Sequence, residues 1–147
     1  MKRILVTGSS GLVGSEAVHY FDQLGYRVVG VDNNMRRDFF GPDGDTSPTL
    51  LWLRENTQNF RHESIDIRSR RAVSLLLSRE RFDAIIHCAG QPSYELARRR
   101  PLDDFDVNAN GTMNLLEAAR NSCPEAPFIM MSTSRVYGDA LNELPLV

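Results

Sequence analysis

Short apolar runs and longer mixed segments take turns along the chain. Residues 2–7 are a compact β-branched run that ends at glycine and reads as a buried strand. Residues 12–24 follow with a helical pattern, placing Val13, Ala17, Phe21 and Leu24 on one face with Gly25 as the stop. Residues 27–31, 60–65, 83–87 and 127–132 predict four further strands, the one at 60–65 being the most polar. Between them, residues 33–47 are rich in Gly, Asp and Asn and predict a long loop. A short helix is expected around 50–53. Residues 69–79 interleave arginines with Val73, Leu76 and Leu77, the pattern of an amphipathic helix. Residues 101–122 predict one long helix with Pro101 in its first turn; Leu102, Phe105, Ala109, Leu116 and Ala119 fall near one face. Residues 133–147 read as irregular.

The strands are apolar throughout rather than alternating, and they take turns with helices. That combination predicts an α/β fold: a doubly wound parallel sheet of about five strands with helices on both faces. No repeat or linker divides the chain, so residues 1–147 are expected to form one domain.

Composition narrows the function classes. With 41% hydrophobic and 24% charged residues and a net charge of −2, the chain has no basic surplus to draw nucleic acid or an anionic membrane. No apolar run approaches the roughly 20 residues of a membrane span, and no secretory h-region follows the N-terminus. A cytoplasmic protein with reduced thiols is therefore expected; Cys88 and Cys123 show no metal or redox spacing. Among the 17 basic residues only Lys2 is a lysine.

The first strand gives way to Gly8, Gly11 and Gly14, spaced as Gly-x-x-Gly-x-x-Gly and opening the first helix. In that context the first glycine allows a tight turn, the second admits a pyrophosphate close to backbone, and the third lets helix and strand pack. The helix start adds unpaired N–H groups and the positive end of its dipole. Asp32 closes the second strand, 18 residues after Gly14, where a carboxylate accepts hydrogen bonds from the adenosine ribose of a dinucleotide. A carboxylate there repels the 2′-phosphate of NADP and favours NAD; the same residue could serve only to cap its loop. Arg36 and Arg37 follow and could clamp a phosphate or lie solvated in the loop.

Taken together, residues 7–14, Asp32-Asn33, Asp66-Ile67, His87-Cys88-Ala89-Gly90-Gln91, Asn108-Ala109-Asn110-Gly111-Thr112 and the stretch from Ser132 to Gly138 resemble the extended short-chain dehydrogenase/reductase family. The likeness is to its NAD-dependent nucleotide-sugar epimerases and dehydratases. Within that family the stretch Asp32-Asn33-Asn34-Met35-Arg36-Arg37 and Ala89-Gly90-Gln91-Pro92-Ser93 are most similar to the CDP-paratose/CDP-tyvelose 2-epimerases, although Ser134-Arg135 stands where that subfamily usually has Asn-Lys. The resemblance implies a Rossmann-type fold, NAD as cofactor and a CDP-hexose as substrate. It implies pyrophosphate contacts from Leu12 and Val13, and adenine contacts from Asp66 and Ile67. Cys88, Ala89, Gly90 and Gln91 would line the way to the nicotinamide, with Asn33, Arg36, Asn108 and Ser132 completing the cofactor site. Thr133 falls where the family places a Ser or Thr that bonds the reacting sugar hydroxyl.

The family's base is a tyrosine four residues before a lysine, which lowers its pKa. No such pair occurs here, because Lys2 precedes Tyr20, Tyr26, Tyr94 and Tyr137. The chain therefore reads as the cofactor half of a longer enzyme, or alternatively as a non-catalytic NAD-binding module completed by another chain. His87, at a strand end, reads as a packed histidine rather than a base, and His19 and His62 have no metal-like partners. Arg98-Arg99-Arg100 reads as a solvated helix end. The segment between Tyr94 and Ser122 resembles the element such enzymes use to pair into homodimers; the apolar face of its long helix could equally pack on its own sheet.

Overall fold

The structure is a computed structural model and describes residues 1–132; the expectations for residues 133–147 lie outside the described residues. Among the described residues, five parallel strands form one sheet in the order β3-β2-β1-β4-β5. They are β1 (Arg3–Thr7), β2 (Arg27–Val31), β3 (Phe60–Glu63), β4 (Ala84–His87) and β5 (Phe128–Met130). The order reverses at β1, so the carboxyl ends of β1, β2 and β4 open on one crevice, the place where such sheets bind ligands. The doubly wound α/β sheet expected from the apolar strands is the one found.

The two central strands explain why this sequence makes a sheet. Ile4, Leu5 and Val6 of β1 and Val28 and Val29 of β2 are at most 3% exposed and alternate between two cores. Leu5, Val29 and Ile85 pack with Val73, Leu77 and Leu115 on one face. Ile4, Val6, Val28 and Ile86 pack with Val18 and Leu53 on the other. Each buried Leu, Ile or Val of this kind contributes about 2 kcal/mol. The edge strand β3 is polar, as its sequence suggested, and is only partly buried.

Several helices differ from the pattern-based expectation. α1 (Leu12–Gln23) buries Gly14, Ser15, Val18 and Asp22. Val13 and Leu24, expected on the inner face, are 52% and 55% exposed. The reason is the phosphate turn: Gly14 and Ser15 must face the sheet so that the helix can start against it, which rotates Val13 outward. The expected loop 33–47 holds a short helix, α2 (Met35–Phe40), and a 3₁₀ turn (Gly41–Gly44) before α3 (Ser47–Asn56). Asn34 organises this segment from a left-handed conformation (φ 57°). Its side chain donates to Asp45 at 2.8 Å and accepts from the Thr46 amide at 2.9 Å. α4 (Arg70–Arg79) starts at Ser69, whose hydroxyl caps the Ala72 amide.

The long helix expected over 101–122 is divided. α5 (Tyr94–Arg99) precedes α6 (Pro101–Phe105), a π-turn (Asp106–Asn110) follows, and α7 (Gly111–Ser122) completes the segment. The extra residue of the π-turn re-aims the face. Leu102, Phe105 and Leu116, expected along one face, are 79%, 58% and 40% exposed, while Val107, Leu115 and Ala118 are buried. Gly111 marks the tight point: a Cβ there would lie 2.6 Å from Ile67 Cδ1.

Candidate functional site

The crevice at the sheet's reversal point is a cavity of about 830 Å³, within the 300–1,000 Å³ of typical ligand sites. Every cofactor-binding residue expected from the sequence and named above lines it, from Gly8 through Asp32 and Asp66 to Asn108 and Ser132. Thr133 lies outside the described residues. The lining also includes residues to which the sequence reading gave no cofactor role: Met35, Phe39 and Phe40 from α2, Ile65, Asp104 and Thr112. The Phe39-Phe40 pair inside an otherwise polar stretch was the available signal.

At the floor, the phosphate turn is built around absent side chains. Gly8 has φ +66°, a region that favours glycine, and a Cβ on it would sit 2.7 Å from the Ala89 amide nitrogen. A Cβ on Gly14 would sit 2.0 Å from the Gly8 carbonyl oxygen. The Gly8 amide donates to Val31 O at 2.8 Å, fastening the turn to β2. Gly11 caps α1 without a side-chain bond, which leaves first-turn amides for an anionic ligand. Leu12 is 87% exposed over this turn.

On the β2 side, Asp32 both caps and projects. Its carboxylate accepts the Ser10 amide at 3.0 Å and the Asn34 amide at 2.8 Å, and it still borders the cavity. The loop-capping and ligand-facing readings therefore coexist. Arg36 stacks on Phe40 (5.3 Å) and Arg37 pairs with Asp45 (3.5 Å). Arg100 stacks on Phe39 (5.3 Å) and pairs with Asp103 (2.5 Å). Of these arginines only Arg36 lines the cavity.

At the end of β3, the Asp66 carboxylate is held by Arg68 at 2.7 Å. Burial pushes this carboxyl up, but hydrogen bonds from the Arg68 side chain and amide outweigh it and hold it below its ordinary value. Asn114 donates to Ile67 O at 3.0 Å and fixes the same corner.

The opposite wall follows β4. His87 is 2% exposed and sits in a chain of hydrogen bonds. Thr112 Oγ1 donates to Asn108 O (2.7 Å), so it accepts from His87 Nε2 (3.0 Å). Nδ1 is then an acceptor, receiving the Thr7 hydroxyl at 2.6 Å, and Thr7 Oγ1 takes the Ala89 amide at 3.3 Å. This order assigns the neutral Nε2–H tautomer. Burial lowers the His87 pKa to about 4, so the ring is a packed, neutral member of the wall, as its position suggested. Burial also pushes the Cys88 thiol up, keeping it protonated. Cys88 and Cys123 are both free thiols.

The fit of a dinucleotide rests on these features: a glycine turn with no room for Cβ atoms, a capless helix start, and a carboxylate 18 residues on, all facing one cavity. The sequence profile of the NAD dependent epimerase/dehydratase family matches residues 4–145. The chain belongs to that family. It is 34% identical over 94% of its length to UDP-glucose 4-epimerase 1 of Oryza sativa subsp. japonica, and 32% identical over 93% to CDP-paratose 2-epimerase of Salmonella typhi. It covers 38% of each of those proteins. Among solved structures, the UDP-Glc/GlcNAc 4-epimerase of Campylobacter jejuni superposes with a TM-score of 0.80 at 25% identity, covering 95% of this chain and 39% of that one. A UDP-glucose-4-epimerase from Stenotrophomonas maltophila, solved with bound NAD and formylated UDP-arabinopyranose, gives 0.79 at 27% identity over 94% and 39% of the two chains. Among the described residues, no helix is long and apolar enough to cross a membrane, and no His, Cys, Asp and Glu cluster could hold a metal.

Proposed function

We propose that this chain is the NAD-binding part of a nucleotide-sugar epimerase, with a CDP-linked hexose as substrate and C2 as the inverted centre. The observation that carries the cofactor half is the single cavity on which the glycine turn, Asp32 and the 88–91 loop converge. NAD bound there would supply a hydride acceptor that later returns the hydride to the opposite face of the sugar. The chain's own residues do the holding. Amides at the start of α1 meet the diphosphate, Asp32 accepts from the adenosine ribose, and the backbone of Cys88, Ala89 and Gly90 flanks the nicotinamide end. Asp66 and Ile67 border the adenine. Thr133, just past the described residues, is assigned the sugar hydroxyl.

The CDP-sugar reading is supported by the likeness to CDP-paratose 2-epimerase, which covers 93% of this chain against 94% for UDP-glucose 4-epimerase 1, and by the Asp32 to Arg37 stretch. A homodimer through the segment between Tyr94 and Ser122 belongs to the same proposal, supported by the exposed Leu102, Phe105, Met113 and Leu116. The test supplies a longer reading frame carrying this chain with CDP-paratose and with UDP-glucose in parallel, and follows the sugar protons by NMR. Inversion at C2 of the CDP sugar is expected. Turnover of UDP-glucose alone would move the assignment to C4 chemistry.

A further inference from the structure

A compact hydrogen-bonded knot closes the far wall of the cavity, where the loop after β4 meets the π-turn. Asn108 Oδ1 accepts the Gln91 amide at 2.8 Å, and Asn108 Nδ2 donates to the Gln91 carbonyl at 3.1 Å. The Gln91 side chain, in a residue only 6% exposed, donates from Nε2 to Ser93 O at 2.9 Å, and its Oε1 accepts the Ser93 amide. One donor hydrogen remains on each amide group, and both converge on one atom. Asp104 Oδ1 accepts Gln91 Nε2 at 2.7 Å and Asn108 Nδ2 at 3.0 Å. The π-turn makes this possible, because its extra residue swings Asn108 toward the loop.

The consequence is orientational. An amide side chain can turn over and exchange its oxygen for its nitrogen. Asp104 Oδ1 accepts only, so it holds Gln91 and Asn108 each with nitrogen inward and oxygen toward its backbone partner. Turned over, Asn108 would point a donor at the Gln91 N–H and release the loop. Gly90, Gln91, Asp104 and Asn108 all border the cofactor cavity. Gly90 lies against the knot: a Cβ on it would meet Asn108 Oδ1 at 3.3 Å.

We infer that Asp104 is a positioning residue, which fixes Gln91 and Asn108 through one carboxylate oxygen so that the 88–93 loop presents its backbone to the cofactor. The inference rests on the NAD reading above. Both bonds fall on Oδ1, so one acceptor oxygen at that point is what the knot requires. Asp104→Asn keeps an oxygen in that place and loses the charge. Asp104→Glu keeps the charge and moves the oxygen by one methylene. Asp104→Ala loses both.

The experiment measures NAD affinity by calorimetry and backbone exchange at Gln91 by NMR, in the unaltered chain and in all three variants. Asp104→Asn is expected within about twofold of the unaltered chain in both readouts. Asp104→Glu and Asp104→Ala are expected to weaken NAD about tenfold and to speed Gln91 exchange about tenfold, the weight of one to two modest hydrogen bonds. A normal Glu variant beside a weakened Asn variant would overturn the inference in favour of charge. Four chains alike, or an Asn variant as weak as Ala, would overturn it too. If Asp104→Ala does not fold, the Asn and Glu pair decides alone. An unaltered chain that binds no NAD would remove the functional reading, while Gln91 exchange would still decide the knot.

Discussion

Replacing Gly14 with alanine sets two effects of opposite sign against each other. Gly14 lies in the first turn of α1, where alanine gains about 1 kcal/mol of helix propensity. The new Cβ would lie 2.0 Å from Gly8 O and 2.7 Å from Gly8 C, both backbone atoms. A carbon–oxygen contact needs about 3.3 Å, so the turn must open by roughly 1.3 Å. Overpacking against atoms that cannot rotate away costs about 1–3 kcal/mol or more, and the clash wins. Opening the turn also displaces the amides meant for the diphosphate. Calorimetric titration of Gly14→Ala with NAD should show an affinity lower by about tenfold or more, with a melting temperature several degrees below the unaltered chain. Gly11→Ala separates the two effects, since its Cβ meets only Gly8 O, at 3.3 Å: it should melt close to the unaltered chain and still bind NAD more weakly, because that Cβ stands where the pyrophosphate approaches. Undiminished NAD binding by Gly14→Ala would refute the account of the turn.

Three further outcomes follow from the same structure. Asp32→Ala should weaken NAD by about tenfold or more, the loss of hydrogen bonds to a charged acceptor, and narrow the preference over NADP; calorimetry showing both cofactors unchanged would count against the ribose assignment. His87 titrates near 4 in the fold against an ordinary 6.5, so the unfolded chain binds its proton first. Its contribution to stability is complete above pH 6.5 and falls away between pH 6.5 and 4, by up to about 3 kcal/mol. Denaturant melts of His87→Gln should show a shallower loss in that window, and an unaltered slope would contradict the burial argument. Leu116→Asp should shift sedimentation from dimer to monomer; an unaltered chain that is already monomeric would remove the proposed pairing face.

How much of this was legible beforehand depends on how local the deciding physics is. The strands were legible because β1, β2 and β4 are buried on both faces and read as unbroken apolar runs. The glycine turn was legible because spacing alone carries its meaning, and Asp32 because it ends a strand. The face of α1 was not, since the need to seat Gly14 and Ser15 against the sheet outweighs the burial of Val13. The break at Asp106–Asn110 was also hidden: a π-turn changes no residue type, and its purpose, to bring Asn108 to Gln91, is visible only once β4 and the helix are adjacent. α2 stayed hidden inside a polar composition, because Asn34 organises it through Asp45 and Thr46 eleven and twelve residues away. Asp104 reads in sequence as one more surface acid, and only its two converging amide donors single it out.

Crystals grown with NAD test the central claim most directly. The account predicts electron density for the diphosphate over the amides of residues 8–14, with the adenosine ribose against the Asp32 carboxylate. Density settled elsewhere in the cavity or on another face, with that turn left bare, would contradict it.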